Sequence, residues 1–310
     1  MKENRSMKRK NHRRNRRVKG KRRKGGVRLL LLAILLISSV RRLGWMPEGF
    51  SGKLGSLTWK EVKNQTGYVD EKEADLVKPK KRSENDVKES IKKLAQKDKS
   101  YRQIYENYEA YPQEMLAALC NNPEMIDYVK NYPDAAREAA GGFTKAEKKA
   151  GLPLLIQWDK RWGYAPYGSS NVGMSGCAPT CMSMVVLALT GDEKSTPDKI
   201  AEYAKDHGYY EENTGTSWSF WGEGAEHYKI HGQEISLDEN VIASHLKKGE
   251  PVICSMGPGD FTSGGHFIVL AGMSDGKIIV RDPNSRERSK VLWNYERLRP
   301  QIKNLWAFTN

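Results

Sequence analysis

One cysteine at the start of an apolar helix constrains this chain more than any other feature. Cys177 lies in Ser175–Leu189, SGCAPTCMSMVVLAL, where a glycine-containing turn leads directly into apolar residues. The unpaired N–H groups and the positive dipole end of a helix N-terminus stabilise a thiolate relative to a thiol. The segment therefore predicts a helix over residues 178–190 that presents a nucleophilic cysteine at its first turn.

Two residues that complete a hydrolytic site follow far downstream. His266 lies in GGHFIVLAG, and Asp282 lies in VRDPNS, sixteen residues further on. An imidazole can take the thiol proton and return it to a leaving amine, while a carboxylate holds the other ring nitrogen. The order Cys177, His266, Asp282 indicates a cysteine hydrolase of papain-like type. Simpler interpretations stay open, namely a hydrogen-bonded core histidine and a turn-forming aspartate before Pro283.

The C-terminal half, residues 151–310, is long enough for a core of its own. Helical patterns precede strand patterns in it, which predicts an α+β domain with an antiparallel sheet. Asp275-Gly276 predicts a hairpin turn. The predicted helices span 178–190, 197–206, 217–229 and 238–248, and the predicted strands span 251–256, 266–273, 277–282, 289–294 and 304–309. This arrangement places the thiol on the leading helix and the imidazole on the sheet, across a cleft.

The positive charge of the chain is confined to its beginning. The formal net charge is +14, but residues 1–28 hold fifteen Lys or Arg and one acidic residue, and the rest of the chain holds 37 residues of each sign. A basic nucleic-acid-binding surface on the folded part is therefore not expected. We expect the basic block to be the cytoplasmic or leading part of a targeting segment.

A short hydrophobic run follows the basic block. Residues 29–40, LLLLAILLISSV, carry no charge and precede Arg41 and Arg42. Twelve residues are typical of a signal peptide and fewer than the roughly twenty of a spanning helix. However, no small-x-small cleavage motif follows, so a short uncleaved anchor is the competing interpretation. Either way the sequence predicts export, with the catalytic domain outside the cell membrane or secreted.

Two segments connect this targeting region to the C-terminal half. Residues 41–83 are polar with little periodicity, which predicts a linker. Residues 84–150 have apolar positions at helical spacing, with prolines near new helix starts, which predicts a small helical subdomain. Its apolar face must be buried, and we expect it to dock on the catalytic domain.

The other three cysteines have apolar neighbours. Cys120, Cys181 and Cys254 are therefore predicted to be small buried hydrophobes. A disulfide between Cys177 and Cys181 would be strained across one helical turn, and no further ligands lie at zinc-site spacing. The sequence accordingly predicts a reaction that uses no metal and no cofactor.

Four motifs together resemble the C39-like peptidases, which are relatives of papain-like bacteriocin-processing proteases. They are LPLLIQWDKRWGYAPYG, SGCAPT, GGHFIVLAG and the DPN of residues 282–284, and they lie within residues 152–310. The resemblance implies that Gln157 supplies a second oxyanion donor beside the Cys177 N–H. A buried structural amide is the alternative for this residue. The family motif usually has glycine at the position of Ala178, and a methyl group there is expected to narrow the cleft.

The residues and the resemblance together predict an exported, membrane-tethered cysteine peptidase that acts on a peptide or protein substrate. One alternative is an inactive C39-like module that binds peptides or cell-wall material. Another is a Cys/His amidase or acyltransferase that acts on peptidoglycan stem peptides. Aromatic side chains would line the substrate groove in the binding module, or else they pack in the core. These aromatic residues are Trp158, Trp162, Tyr164, Tyr167, Trp218, Phe220 and Trp221.

Overall fold

A computed structural model of the protein describes residues 67–212 and 215–310. The basic segment 1–28, the hydrophobic segment 29–40 and the first part of the predicted linker, up to residue 66, lie outside these residues. In the part of the chain that is described, no helix has both the length and the apolar character needed to cross a membrane.

A sheet forms the centre of the fold. In chain order the strands are β1 (Val69–Asp70), β2 (Pro166–Tyr167), β3 (Ser170–Asn171), β4 (Tyr210–Glu211), β5 (Gly215–Thr216), β6 (His231–Glu234), β7 (Val252–Met256), β8 (His266–Ser274), β9 (Lys277–Arg281), β10 (Val291–Trp293) and β11 (Ile302–Thr309). Within the described residues, seven of them form one sheet in the order β1-β10-β9-β8-β7-β11-β6. Every neighbouring pair is antiparallel except β1 and β10.

Local sequence explains the central strands. β7 is buried along its whole length, as its mostly apolar sequence favours, and the burial includes Ser255. β8 and β9 are joined by a two-residue turn in which Asp275 and Gly276 have φ values of 50° and 74°. Those angles suit aspartate and glycine, and they match the right-handed twist of a hairpin. The prediction of an antiparallel sheet in an α+β domain is confirmed.

The helices precede the sheet or cover it. They are α1 (Glu84–Ala95), α2 (Lys99–Glu106), α3 (Gln113–Asn121), α4 (Ile126–Lys130), α5 (Lys145–Lys149), α6 (Val172–Ser175), α7 (Cys177–Thr190), α8 (Pro197–Asp206), α9 (Glu223–Glu226), α10 (Glu239–Lys248), α11 (Arg286–Ser289) and α12 (Tyr295–Leu298). Short 3-10 turns span Tyr108–Ala110, Pro123–Met125, Trp218–Trp221 and Arg299–Gln301. α7 packs against β8, which places its first residue beside the start of that strand.

The prediction of one continuous helix over residues 217–229 is wrong. The chain forms the 3-10 turn Trp218–Trp221 and the single turn α9 instead. Gly222 and Gly224 interrupt the pattern, and glycine is about 1 kcal/mol less favourable than alanine in a helix interior. A periodic run of apolar residues therefore does not suffice for a continuous helix here.

The linker prediction for 41–83 needs correction from residue 67 onwards. β1 adds to the edge of the sheet, where Val69 lies opposite Val291. The buried carboxylate of Glu71 accepts hydrogen bonds from the backbone N–H and the side-chain amide of Asn294, at 2.9 and 2.5 Å. Strand pairing uses backbone groups, so a polar segment can join a sheet without the apolar pattern that predicts a strand.

The helical segment α1–α5 packs on the C-terminal half. The buried residues of α1–α4 share one core with Ile156, Trp158 and Tyr164 of that half, and Phe143, before α5, packs in the core around α7. The rings of Tyr128 and Tyr164 stack with their centroids 4.7 Å apart, and the Tyr128 hydroxyl donates to Asn171 Oδ1 at 2.6 Å. The apolar face of the segment is thus buried against the C-terminal half.

Candidate active site

Cys177 is the first residue of α7, as the sequence predicts. Gly176 precedes it and is closely packed, because a Cβ at that position would lie 2.4 Å from the carbonyl oxygen of Val172. Only glycine fits this close approach. Cys177 is partly exposed, whereas the other three free cysteines are buried. The sequence thus places its accessible thiol at the helix N-terminus.

His266 is the first residue of β8 and is buried beside Cys177. Its Nε2 atom lies 2.8 Å from Oδ1 of Asp282, and the Cys177 thiol is close enough to raise the pKa of the ring. A carboxylate only accepts hydrogen bonds, so Nε2 carries a proton and Nδ1 is the nitrogen left for the thiol. The structure therefore brings together the three residues that the sequence placed in one site.

Charge raises the basicity of His266. Burial of the ring opposes its protonation, but the Asp282 carboxylate and the Cys177 thiol outweigh burial and raise the pKa of His266 to about 9. At neutral pH the ring is an imidazolium, which is the partner that a thiolate requires.

Asp282 follows β9 directly and is fully buried. Its Oδ1 accepts from His266 and from the backbone N–H of Asn284 at 2.8 Å, and its Oδ2 accepts from Nε of Arg288 at 2.5 Å. Burial alone would raise the pKa of this carboxyl, yet Arg288 and His266 lower it to about 2. The group therefore stays a carboxylate throughout the neutral range.

Arg288 is a site residue that the sequence does not indicate. It lies in α11, six residues after Asp282, and is buried. Its segment, NSRERSK, is polar and typical of a solvated surface. The neighbouring Ser289 hydroxyl accepts from the Asp282 N–H at 2.9 Å. Only the fold reveals that these residues enclose the carboxylate.

Gln157 lies against the turn that leads into α7. Its Nε2 donates to the Gly173 carbonyl at 2.9 Å and lies 3.5 Å from that of Met174. These two acceptors fix the orientation of the amide. Its Oε1 is buried and has no hydrogen-bond partner among the described residues. The backbone N–H of Gln157 donates to the Pro283 carbonyl at 2.8 Å, which ties this residue to the Asp282 loop.

Most of the aromatic set packs in the core. Trp218 is 47% exposed, whereas the other six side chains are buried. Ala178 is also buried within the core of α7 and the sheet, so its methyl group does not project into an open cleft. By contrast, a side chain at Gly264 or Gly265 would meet open space, as expected for a cleft in front of His266.

The remaining cysteines behave as predicted. Cys181 and Cys254 have no exposed surface, and Cys120 has little. Burial raises the pKa of each of these thiols above its usual range. They therefore remain neutral thiols packed in apolar surroundings.

A cysteine-bearing helix packed on an antiparallel sheet, with a histidine at the facing strand, defines the papain-like class of peptidase domain. Residues 150–310 match the model of the Peptidase_C39 like family, and the chain belongs to this family. The family predicted from the motifs is thereby confirmed, and membership in it supports a function of the cysteine-peptidase type.

The solved structures that are similar to this chain include two peptidase structures. A C39-like peptidase from Bacillus anthracis has 14% identity and a TM-score of 0.31, over 51% of this chain and 94% of that one. The peptidase domain of Streptococcus ComA, a bifunctional ABC transporter involved in a quorum-sensing pathway, has 18% identity and a TM-score of 0.31. That match covers 42% of this chain and 89% of that one. Among curated proteins, no sequence matches the chain.

Proposed function

We propose that this protein hydrolyses peptide bonds with Cys177 as nucleophile, His266 as general acid and base, and Asp282 as the residue that orients the imidazole. The contact of His266 with Asp282 on one side and Cys177 on the other carries the proposal. A buried carboxylate that stays ionised favours the imidazolium, and the imidazolium stabilises a thiolate beside it.

The reaction follows from this arrangement. The Cys177 thiolate attacks the scissile carbonyl carbon, and the negative charge moves to the carbonyl oxygen. The imidazolium of His266 then gives its proton to the leaving amine as the C–N bond breaks, which leaves a thioester on Cys177. The neutral imidazole next removes a proton from water as the water attacks the thioester, and the C–S bond then breaks to release the carboxylic acid and restore the Cys177 thiolate beside the His266 imidazolium.

Two donors support the oxyanion in this scheme. The N–H of Cys177 is among the first four N–H groups of α7, which have no acceptor within the helix. The amide of Gln157 is the second donor: its Nε2 donates to the Gly173 carbonyl at 2.9 Å, and the N–H with only the long 3.5 Å contact to the Met174 carbonyl is the one that would turn to the oxyanion. Such donors contribute roughly 10²–10³ in kcat when they are aimed at the developing charge.

Hydrolysis is better supported than a role in binding alone. An inactive binding module would use exposed aromatic side chains to hold its ligand, but six of the seven candidates are buried in the core. A binding module would also have no need for a buried Asp282 carboxylate beside an imidazolium, because such a pair is costly to bury. An amidase or acyltransferase that acts on peptidoglycan stem peptides would use the same machinery.

Export is proposed on the sequence of residues 1–42 alone. The basic block and the hydrophobic run after it are arranged as in a signal peptide or a short anchor. Fractionation of cells that express the full chain tests both parts of this proposal. A tethered protein stays in the membrane pellet after alkaline washing and is digested by protease added to intact protoplasts. Recovery in the cytoplasmic fraction would overturn it.

Labelling with an electrophilic peptide probe tests the catalytic proposal. We expect a vinyl-sulfone peptide to modify Cys177 of the purified protein, as located by peptide mapping, and the Cys177→Ser variant to stay unlabelled. Incubation with a peptide library should then release new amino termini. Labelled protein that only transfers acyl groups to hydroxylamine, without hydrolysis, would indicate an acyltransferase. Folded protein that takes no label would indicate a binding module.

A further inference from the structure

The helical segment contacts the loop that carries Asp282 at two points. Asn122 is buried, and its Nδ2 donates to the carbonyl oxygen of Asn284 at 2.5 Å. The Glu124 carboxylate accepts from the Ser285 hydroxyl at 2.5 Å and from the backbone N–H of Arg286 at 2.9 Å. Asn122 caps the 3-10 turn Pro123–Met125 between α3 and α4, and Glu124 lies within it, more than 150 residues away from the loop in sequence.

The residues held in this way are those that hold Asp282. Asn284, whose carbonyl Asn122 binds, donates its N–H to Oδ1 of the Asp282 carboxylate. Ser285, whose hydroxyl binds Glu124, accepts the N–H of Arg288 at 3.0 Å. Arg288 in turn donates to Oδ2 of Asp282. Oδ1 of Asp282 is therefore connected to Asn122 through Asn284. Oδ2 is connected to Glu124 through Arg288 and Ser285.

The turn that carries the two residues is itself rigid. Asn122 Oδ1 accepts the N–H of Glu124 at 3.2 Å, and Pro123 fixes the backbone at the first position of the turn. The next residue, Met125, is buried in the core of the segment. A side chain on such a support holds its partner in one position better than a side chain on a free loop does.

We propose that Asn122 and Glu124 are positioning residues for the Asp282 carboxylate, so that the helical segment is part of the peptidase site. The inference rests on the proposed function, because it assigns these residues to the orientation of His266 by Asp282. It also implies that the family-matched residues 150–310 do not contain everything that the site needs.

The test compares the full chain with its Glu124→Gln variant. This substitution puts an NH₂ group in place of one acceptor oxygen, so a hydrogen bond to the loop is lost together with the charge. Glu106→Gln is the matched control, since Glu106 is exposed at the end of α2 and has none of these hydrogen bonds. The first readout is the titration of the His266 ring by NMR. The charged and titratable groups around this ring are Asp282, Cys177 and, behind Asp282, Arg288.

We expect His266 in Glu124→Gln to titrate about half a pH unit below wild type, because a displaced carboxylate stabilises the imidazolium less. We also expect kcat on a cleaved peptide to fall about 10- to 100-fold with little change in KM. Glu106→Gln should match wild type in both measurements. If Glu124→Gln does not fold, Asn122→Ser is tested in its place, since it removes the amide donor to Asn284 and leaves a hydroxyl that can still accept the Glu124 N–H.

The outcomes separate this inference from the proposed function. A folded Glu124→Gln protein whose His266 titration matches wild type would overturn the positioning role, whatever the activity. If the thermal midpoint of Glu124→Gln falls while its His266 titration matches wild type, the contact is merely structural, and the positioning role is likewise overturned. Wild-type protein that hydrolyses no peptide, although its His266 titration depends on Glu124, would overturn the proposed function and leave the positioning role supported.

Discussion

Asp282 accepts a hydrogen bond from His266 through one carboxylate oxygen at 2.8 Å, while its other oxygen accepts from Arg288 at 2.5 Å. The carboxylate thus lies between a permanent cation and a titratable one. With the imidazole and the thiol both neutral, Arg288 balances Asp282. Proton transfer from Cys177 to His266 creates one positive and one negative charge, so the buried site stays balanced in both states. Neither state therefore leaves an uncompensated buried charge, which would be costly.

Cys177→Ala should abolish hydrolysis, with a loss in kcat on the order of 10⁴-fold or more, because no other group can form the thioester. Cys181→Ala is the matched control, four residues further along the same helix. Its thiol is buried and burial raises its pKa, so we expect nearly full activity and a loss of about 1 kcal/mol in the free energy of unfolding. Peptide hydrolysis and urea unfolding measure both effects. Inactivation by Cys181→Ala with Cys177→Ala still active would mean that the nucleophile is misassigned.

The pH dependence of kcat/KM should report the imidazolium. The pKa of His266 is about 9, so activity should fall as the pH rises through about 9 and the ring loses its proton. Asp282→Asn removes the charge that raises this pKa, and the alkaline limb should therefore move to lower pH, with a partial loss of rate at neutral pH. Asp282→Ala should lose more activity, because the His266 ring is then free to rotate away from Cys177.

The control for Asp282→Asn is Asp275→Asn, the same substitution at an exposed turn where asparagine also accepts a positive φ. It should leave the pH profile unchanged. Asp282→Asn also leaves Arg288 buried without its charge partner, which should cost about 3–5 kcal/mol in unfolding free energy. Profiles should therefore be measured at a temperature at which each variant is folded. Superimposable profiles for wild type and Asp282→Ala would contradict the role of Asp282.

Arg288→Met should raise the pKa of His266, whereas Asp282→Asn should lower it. Arg288 lowers the pKa of Asp282, so its removal makes the carboxylate a stronger partner for the imidazolium. We expect His266 to titrate at a higher pH than in wild type, as followed by NMR, and the free energy of unfolding to fall by about 3–5 kcal/mol.

Arg297→Met is the matched control for Arg288→Met. It breaks the ion pair of Arg297 with Asp260, which is partly exposed and separate from the contacts of Asp282. Such pairs contribute about 0–1 kcal/mol, so this variant should lose little stability and leave the His266 titration in place. A downward shift of His266 in Arg288→Met would show that the guanidinium acts mainly by holding the loop.

Gln157→Ala separates oxyanion stabilisation from a structural role. If the amide donates to the oxyanion, kcat should fall about 10²–10³-fold. The rate at which iodoacetamide alkylates Cys177 should stay at the wild-type value, because that reaction develops no oxyanion. Gln103→Ala, at an exposed position of α2, is the control. Equal losses in alkylation and hydrolysis would mean that Gln157 only supports the turn at Gly173.

Much of the site can be predicted from local sequence. A cysteine after a glycine turn and before an apolar run specifies a thiol at a helix N-terminus, and α7 begins at that residue. His266 opens β8 because an apolar run starts there after two glycines. The Asp275-Gly276 turn specifies the hairpin that brings Asp282 back beside the histidine. These features depend on backbone conformation and apolar periodicity, which neighbouring residues determine.

Only the tertiary structure decided which polar groups are buried and paired. Arg288 and Glu124 lie in segments with the composition of a solvated surface, yet one is buried on Asp282 and the other holds its loop. Likewise, β1 joins the sheet from a stretch that the sequence predicts to be a linker. Most buried polar groups need hydrogen-bond partners, and local composition does not show whether the folded chain will supply them. The sequence by itself thus determined the helix that begins at Cys177 and the order of the three candidate site residues, whereas the tertiary structure decided which polar groups hold Asp282 and its loop.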